Sequence, residues 1–231
     1  MRLQAELLSE TDLLLRLPGA LNATTPYVLS ALQQGLLAAF SAHLSDTIPA
    51  YQTLLLSFQP HHSVPPKQRL AQVLAEAQAI LQRPINIPEQ PQTLVLPVYY
   101  GPEAGLDFNW VCLQTGLKAH ELIALHSNQA YQVFAIGFSP GFAFLGQLPA
   151  PLQLPRRGTP RARVPAGSVA MANEQTAVYP SASPGGWHLL GRCPTQLFNP
   201  EHQPSSPFSI GTQVRFKPIS RAQFFALGGK L

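Results

Sequence analysis

The stretch from Gly137 to Pro200 restricts the fold more than any other part of this chain. It breaks into strand-length apolar runs (AIGF, VPAGSVAM, TAVYP and GWHLLG), each bounded by Pro or Gly turn formers. Strands that short need closure or a second sheet to hide their edges, so the region predicts a small β-barrel or sandwich. The same stretch holds four arginines within eight residues: Arg156, Arg157, Arg161 and Arg163.

The placement of charge says what kind of partner such a region suits. Charged residues make up only 11% of the 231-residue chain, while 45% is hydrophobic and 24 residues are proline. An ordinary soluble domain carries roughly 25% charge, and interface cores are depleted in charge; the composition suits either drift in a proline-rich lineage or a subunit that works against a partner. Residues 1–121 hold six basic and nine acidic side chains, and residues 122–231 hold nine basic and two acidic, Glu174 and Glu201. In that second part arginine outnumbers lysine seven to two. Guanidinium forks suit bidentate capture of carboxylate or phosphate, and their clustering in one loop favours a compact anionic ligand over a nucleic acid.

The first ninety residues read as a separate α/β unit. RLQAELL and LLLRL, split by Ser9-Glu10-Thr11-Asp12, predict a hairpin. Thr25-Pro26 reads as an N-cap and first-turn pair, and Leu29, Leu32, Leu36, Phe40 and His43 fall on one face of a helix over 26–43. DTIPAYQTLLLSF gives a strand pair. Pro65-Pro66 starts a second helix with Leu70, Val73, Leu74, Ala77 and Leu81 on one face. Two helices over a small, mostly antiparallel sheet predict a ferredoxin-like sandwich, with His61 and His62 in a solvated loop. QRPINIPEQPQ reads as linker. The expected division is thus an N-terminal domain 1–83, a linker 84–92 and a C-terminal domain 93–231, and the fold class is α+β. In the last of these, TLVLPVYY is a strand that Pro97 places at an edge or bulge. LKAHELIALHSN is a helix with His126 near its C-terminus, where a protonated imidazole is favoured and where a packed or capping histidine is the alternative.

Several chemistries are excluded or left unfurnished. Gly137-Phe138-Ser139-Pro140-Gly141 matches G-x-S-x-G, but that motif needs a backbone N–H after the serine, and Pro140 has none. No Walker-type or G-x-G-x-x-G loop, no H-E-x-x-H and no Cys/His zinc spacing occurs, so no metal site is expected. Glu174 is the one central carboxylate of the C-terminal half, and no catalytic residue is assigned. Cys112 and Cys193 are too few for a disulfide framework, no apolar run reaches the roughly 20 residues of a membrane helix, and no signal peptide is evident; a cytoplasmic protein is expected. What remains is a set of binding groups. Pro184, Gly185 and Trp187 of SPGGW allow close backbone approach beside an apolar plate, though the same residues suit a hairpin with a core tryptophan. Gln175, Tyr179 and Arg192 offer donors from neighbouring strands, and His188 should face away from Trp187.

The strings F-x-P-G-F, aromatic-Leu-Gly, PRR, PR, VPAGSVA, QT, YP, SPGGW and GR-x-P occur in this order. The chain resembles the KipI/PxpB family on these, with LPVYYG, ALHS, VRFKPI and PAYQTLLLSF extending the likeness. It departs from that pattern at Cys193, where Thr is usual, at Phe144, where Tyr is common, and at Glu10-Thr11-Asp12, which replaces a Gly-Asp pair. The resemblance implies a C-terminal cyclophilin-like β-barrel after the N-terminal α/β domain. It implies association with a KipA/PxpC-like subunit and a PxpA-like component in an ATP- and Mg²⁺-dependent 5-oxoprolinase that opens 5-oxoproline to glutamate. Other roles in the family are inhibition of a sensor histidine kinase and the carboxyltransferase half of a urea carboxylase. By position it points to Arg157 and Arg161 as the first choices for an anion site. Phe142 of F-x-P-G-F and His126 of ALHS join Gln175, Tyr179, Pro184, Gly185, Trp187 and Arg192 around them.

Overall fold

A computed structural model describes residues 3–60, 64–91 and 93–231; His61 and His62 lie outside the described residues. The chain divides into two compact units, Met1–Gln90 and Pro91–Leu231, and the fold is mixed α+β with mostly antiparallel strand pairs.

The first unit runs β1 (Gln4–Leu7), β2 (Asp12–Arg16), α1 (Thr25–Ala39), β3 (Leu44–Ala50), β4 (Thr53–Phe58) and α2 (Pro66–Gln82). The strands pair in the order β1-β2-β4-β3, all antiparallel. Period-two alternation turns Leu13, Leu15, Leu54, Leu56 and Phe58 inward, against Leu29, Leu32 and Leu36 of α1 and Val73, Ala77 and Ile80 of α2. A ferredoxin-like chain runs βαββαβ; here the order is ββαββα, with β1 occupying the place beside β2. Helix α1 stops at Ala39, not at 43. Its start is organised by Asn22, whose Oδ1 accepts the N–H groups of Thr24 and Thr25. The side chain of the N-cap Thr24 makes no capping bond.

The second unit contains β5 (Thr93–Val98), α3 (Phe108–Thr115), α4 (Ala119–Ser127), β6 (Ala130–Ile136), β7 (Ala143–Gly146), β8 (Arg161–Val164), β9 (Ser168–Ala172), β10 (Gln175–Val178), β11 (Ser183–Gly185), β12 (His188–Arg192), β13 (Gln213–Pro218) and α5 (Arg221–Ala226). One strand path runs β5-β13-β6-β7-β10-β9-β12, with β5 and β13 parallel and every other pair antiparallel. The path is not a barrel of continuous strand pairs. Its ends meet at a single bridge, where Tyr99 and Arg192 exchange two N–H···O bonds of 2.9 Å. Pro97 fits in β5 because, among the described residues, that strand has only β13 as a laddered neighbour. Strands β8 and β11 form a separate pair.

Alternation splits the interior of this unit in two. Val169, Met171, Val178 and Leu190 join the main core with Leu96, Tyr131, Val133, Leu145, Phe216 and the α3 and α4 residues Phe108, Val111 and Leu122. Their neighbours Ala170, Ala172, Ala177, Tyr179 and Leu189 face the other way, into a smaller aromatic cluster with Phe142, Val164 and Trp187. The alanines leave room on that face for the rings.

Candidate small-molecule site

The aromatic face opens into a pocket of about 340 Å³. Phe138, Phe142, Phe144, Tyr179 and Trp187 wall it, Pro160, Pro184, Gly185 and Gly186 close it, and Arg156 and Arg157 bring charge to it. The rings meet edge to face, with centroids 4.8 Å apart for Phe142–Phe144, 5.3 Å for Phe142–Tyr179 and 6.0 Å for Phe142–Trp187, the arrangement aromatic quadrupoles prefer. Gly185 is required here: a Cβ at that position would collide with Tyr179 Oη. Burial raises the Tyr179 phenol above its usual range, against the pull of the Arg156 charge.

Arg157 is fixed from both ends. Its backbone N–H donates to Gly186 O at 2.8 Å, and its Nη1 donates to Asp107 Oδ1 at 2.6 Å. Arg161 clasps the same carboxylate bidentately, Nη1 to Oδ2 at 2.8 Å and Nη2 to Oδ1 at 2.7 Å. Leu189 N–H completes the set with a 2.8 Å bond to Oδ2, and Asp107 N–H returns one to Leu189 O. Asp107 occupies the N-cap of α3 but makes no capping bond; its oxygens are committed to the arginine loop and β12. Burial alone would raise its carboxyl. The bonds from Arg161 and Leu189, with the charges of Arg161 and Arg157, outweigh that and hold it below the usual carboxylate value.

The structure gathers six of the expected site residues at this pocket: Phe142, Arg157, Tyr179, Pro184, Gly185 and Trp187. The other four lie elsewhere. Arg161 stands behind Arg157, spent on Asp107. Gln175 is at the far end of β10 from Tyr179, opposite Gly146 and Ala172. Arg192 is buried at the strand-path junction, donating to Lys230 O at 3.2 Å, and burial pulls its guanidinium below the usual arginine range.

His126 requires a correction, because it is fully buried and does not reach the pocket. Its ring stacks on Phe216 at 4.7 Å. Thr176 Oγ1 donates to Ala170 O, so His126 Nε2–H donates to Thr176 Oγ1 at 2.9 Å, while Nδ1 accepts from Tyr100 Oη at 2.8 Å. Burial lowers this imidazole to about 3. The protonated form expected from the helix dipole loses to desolvation.

Sequence reasoning missed Asp107 and Phe138, and within the arginine loop it preferred Arg161 to Arg156. Glu174, taken as the central carboxylate, sits exposed in the β9–β10 turn, whereas the carboxylate that organises the arginines is Asp107. The signal available was a lone acid inside the apolar run GLDFNWV. His188 does face away from Trp187, stacking on Trp110 at 4.5 Å and bonding Pro155 O through Nε2 at 2.8 Å. Among the described residues no group of three or more His, Cys, Asp or Glu side chains could hold a metal ion, and no helix is long and apolar enough to cross a membrane.

Fold and pocket together define a two-unit α+β protein with an aromatic, arginine-flanked pocket in its second unit. The chain belongs to the family described as carboxyltransferase domain, subdomain C and D, whose model matches residues 3–208. It is 39% identical over 160 residues to the B-type 5-oxoprolinase subunit of Bacillus subtilis, covering 69% of this chain and 62% of that protein. It is 45% identical over 123 residues to the B-type 5-oxoprolinase subunit of Escherichia coli O157:H7, covering 53% and 56%. These relatives bear out the KipI/PxpB resemblance, and the matched stretch spans less than two thirds of either. Among solved structures, TTHA0988 superimposes with a TM-score of 0.76 at 33% identity, over 94% of this chain and 40% of that one. The urea carboxylase of Kluyveromyces lactis gives 0.75 at 14% identity, over 97% and 22%, a likeness of fold alone.

Proposed function

We propose that this chain is the PxpB-type subunit of a heteromeric ATP-dependent 5-oxoprolinase, which opens the lactam of 5-oxo-L-proline to L-glutamate. One observation carries the reading: an aromatic pocket holds a guanidinium, Arg157, locked in place by Asp107, on a chain 39–45% identical to proteins named as B-type subunits of 5-oxoprolinase. 5-Oxoproline is a flat five-membered ring with a carboxylate. The rings of the pocket suit its faces, and Arg156 and Arg157 suit its charge.

The same geometry supports a division of labour. Opening a lactam requires its carbonyl oxygen to be activated and the developing charge to be met by preorganised donors. Asp107 already accepts four hydrogen bonds, so it has no lone pair left for a substrate proton. Among the described residues that line the pocket there is no carboxylate. On this reading the acid–base groups, and the ligands for ATP and Mg²⁺, come from a KipA/PxpC-like subunit and a PxpA-like component. The described residues offer no cluster for the metal. The two free thiols, Cys112 and Cys193, fit a cytoplasmic location. The seven-strand path joined at Tyr99 and Arg192 supports a cyclophilin-like reading of residues 93–231, after an N-terminal domain 1–83 and a linker 84–92.

Reconstitution tests this. Purified alone, the chain should show no 5-oxoproline-dependent ATP hydrolysis, and activity should appear when both partners are added. In that complex Arg157→Ala should raise KM for 5-oxoproline at least about tenfold, the loss of one charge-assisted bond. Turnover without partners sinks the division of labour. A complex that is inert towards 5-oxoproline but binds a sensor kinase regardless of Arg157 sinks the enzymatic reading.

A further inference from the structure

Phe138 is the pocket residue whose own backbone opposes its position. Its φ is +70°, a region in which a bulky side chain is a genuine outlier. Ser139 N–H bonds Gly137 O at 2.9 Å, which makes Phe138 the centre of a three-residue turn of the rare, strained positive-φ kind. The surrounding loop enforces it. Phe142 N–H bonds Ser139 O at 3.0 Å, and Gly137 N–H bonds Phe142 O at 3.1 Å. Gly141, itself at φ +79°, abuts the chain so closely that a Cβ there would lie 2.7 Å from Leu197 O.

Nothing in the core needs that ring. Phe138 remains 63% exposed, meeting the buried rings of Phe142 and Tyr179 edge-on at 5.1 and 6.2 Å. A large apolar side chain that is both exposed and held at backbone cost marks a functional constraint rather than packing. The ring extends the aromatic wall outward at the mouth of the pocket.

Resting on the reading of this pocket as an anion-binding half-site, we propose that Phe138 determines its specificity. The ring covers the apolar face of a small cyclic carboxylate whose charge is met by Arg156 and Arg157. The lining selects that class: its polar groups are two guanidiniums, the Tyr179 phenol and the Trp187 indole N–H, and every other member is phenylalanine, proline or glycine. A straight-chain amino acid of equal charge would leave its polar groups facing rings; a cyclic carboxylate presents a compact apolar face to them.

The test titrates 5-oxoproline and cyclopentanecarboxylate into the full chain, followed by ligand-observed NMR, with Tm measured for each variant. Both probes should bind the wild type. Each should weaken about three- to tenfold in Phe138→Gly and stay within about twofold in Phe138→Tyr, which keeps the flat ring. Phe138→Gly should melt at the same temperature as the wild type or higher, because glycine relieves the turn. Failure of either probe to bind the wild type, or equal binding by Phe138→Gly, overturns the proposal. So does a fall in Tm with binding lost, which would make Phe138 a packing residue. If binding depends on Phe138 while the reconstituted complex hydrolyses no ATP with 5-oxoproline, the oxoprolinase reading falls and this one stands.

Discussion

The two units of this chain hide different kinds of side chain. The interior of the first is filled by leucines with Val73, Ala77, Ile80 and Phe58, and among its described residues the buried polar ones are Thr25 and Arg69. The second buries Asp107, His126, Ser127, Gln132, Ser168, Thr176, His188 and Arg192. Burying a polar group is costly unless it is bonded, and most of these are: Asp107 to two arginines and β12, His126 to Tyr100 and Thr176. A leucine core holds helices and strands together but tolerates small shifts. A saturated carboxylate or imidazole fixes positions, and Asp107 does so for the pocket by holding Arg157.

The contrast can be broken most forcefully at Asp107. Asp107→Ala leaves Arg157 and Arg161 without their shared partner, and denaturant unfolding should show a loss of about 3 kcal/mol or more together with lost ligand binding. Leu54→Ala, in the fully buried centre of the first unit, should cost about 2–4 kcal/mol yet leave ligand affinity of the still-folded protein unchanged.

A pH series sharpens the difference further. The unfolded chain takes up a proton at a histidine near 6.5, which the folded His126 refuses until about 3. Stability should therefore be complete above about pH 6.5 and decline on acidification by up to about 1.4 kcal/mol per pH unit. His126→Gln should flatten that slope. Asp107, held low in the folded state, adds its own loss only as pH falls below the ordinary aspartate value. The smallest effect is expected at Arg163, an exposed member of the arginine loop, where alanine should change stability by no more than about 0.5 kcal/mol.

What the sequence disclosed follows the range of the interactions involved. Helix α2 begins where Pro65-Pro66 said it would, and the leucine face of α1 points inward, because periodicity and punctuation are local signals. In α2 the buried stripe is Arg69, Val73, Ala77 and Ile80, with Leu70, Leu74 and Leu81 half-buried beside it. The short helices α3 and α5 span too few turns to show a period, and they escaped notice. Trp187 and His188 fall on opposite sides, as extended neighbours must. Asp107 was invisible as an organising group because its partners Arg157, Arg161 and Leu189 come from remote stretches of chain, and no spacing rule connects them. For His126 the sequence left a packed and a functional reading open, because its helix-end position is local whereas its burial against Phe216 and Thr176 is not. Phe138 was overlooked because a positive φ at a bulky residue contradicts what its type prefers.

The junction at Tyr99 and Arg192 has a consequence for how this protein can vary. Gly191 lies there with Tyr99 O where a Cβ would come within 2.6 Å, and at Gly105 a Cβ would collide with Leu190 O. A buried leucine can be exchanged for isoleucine or methionine at modest loss, but glycine has no smaller substitute. Mutational drift should therefore be filtered most harshly along this seam, where two distant lengths of backbone touch with only hydrogen atoms between them.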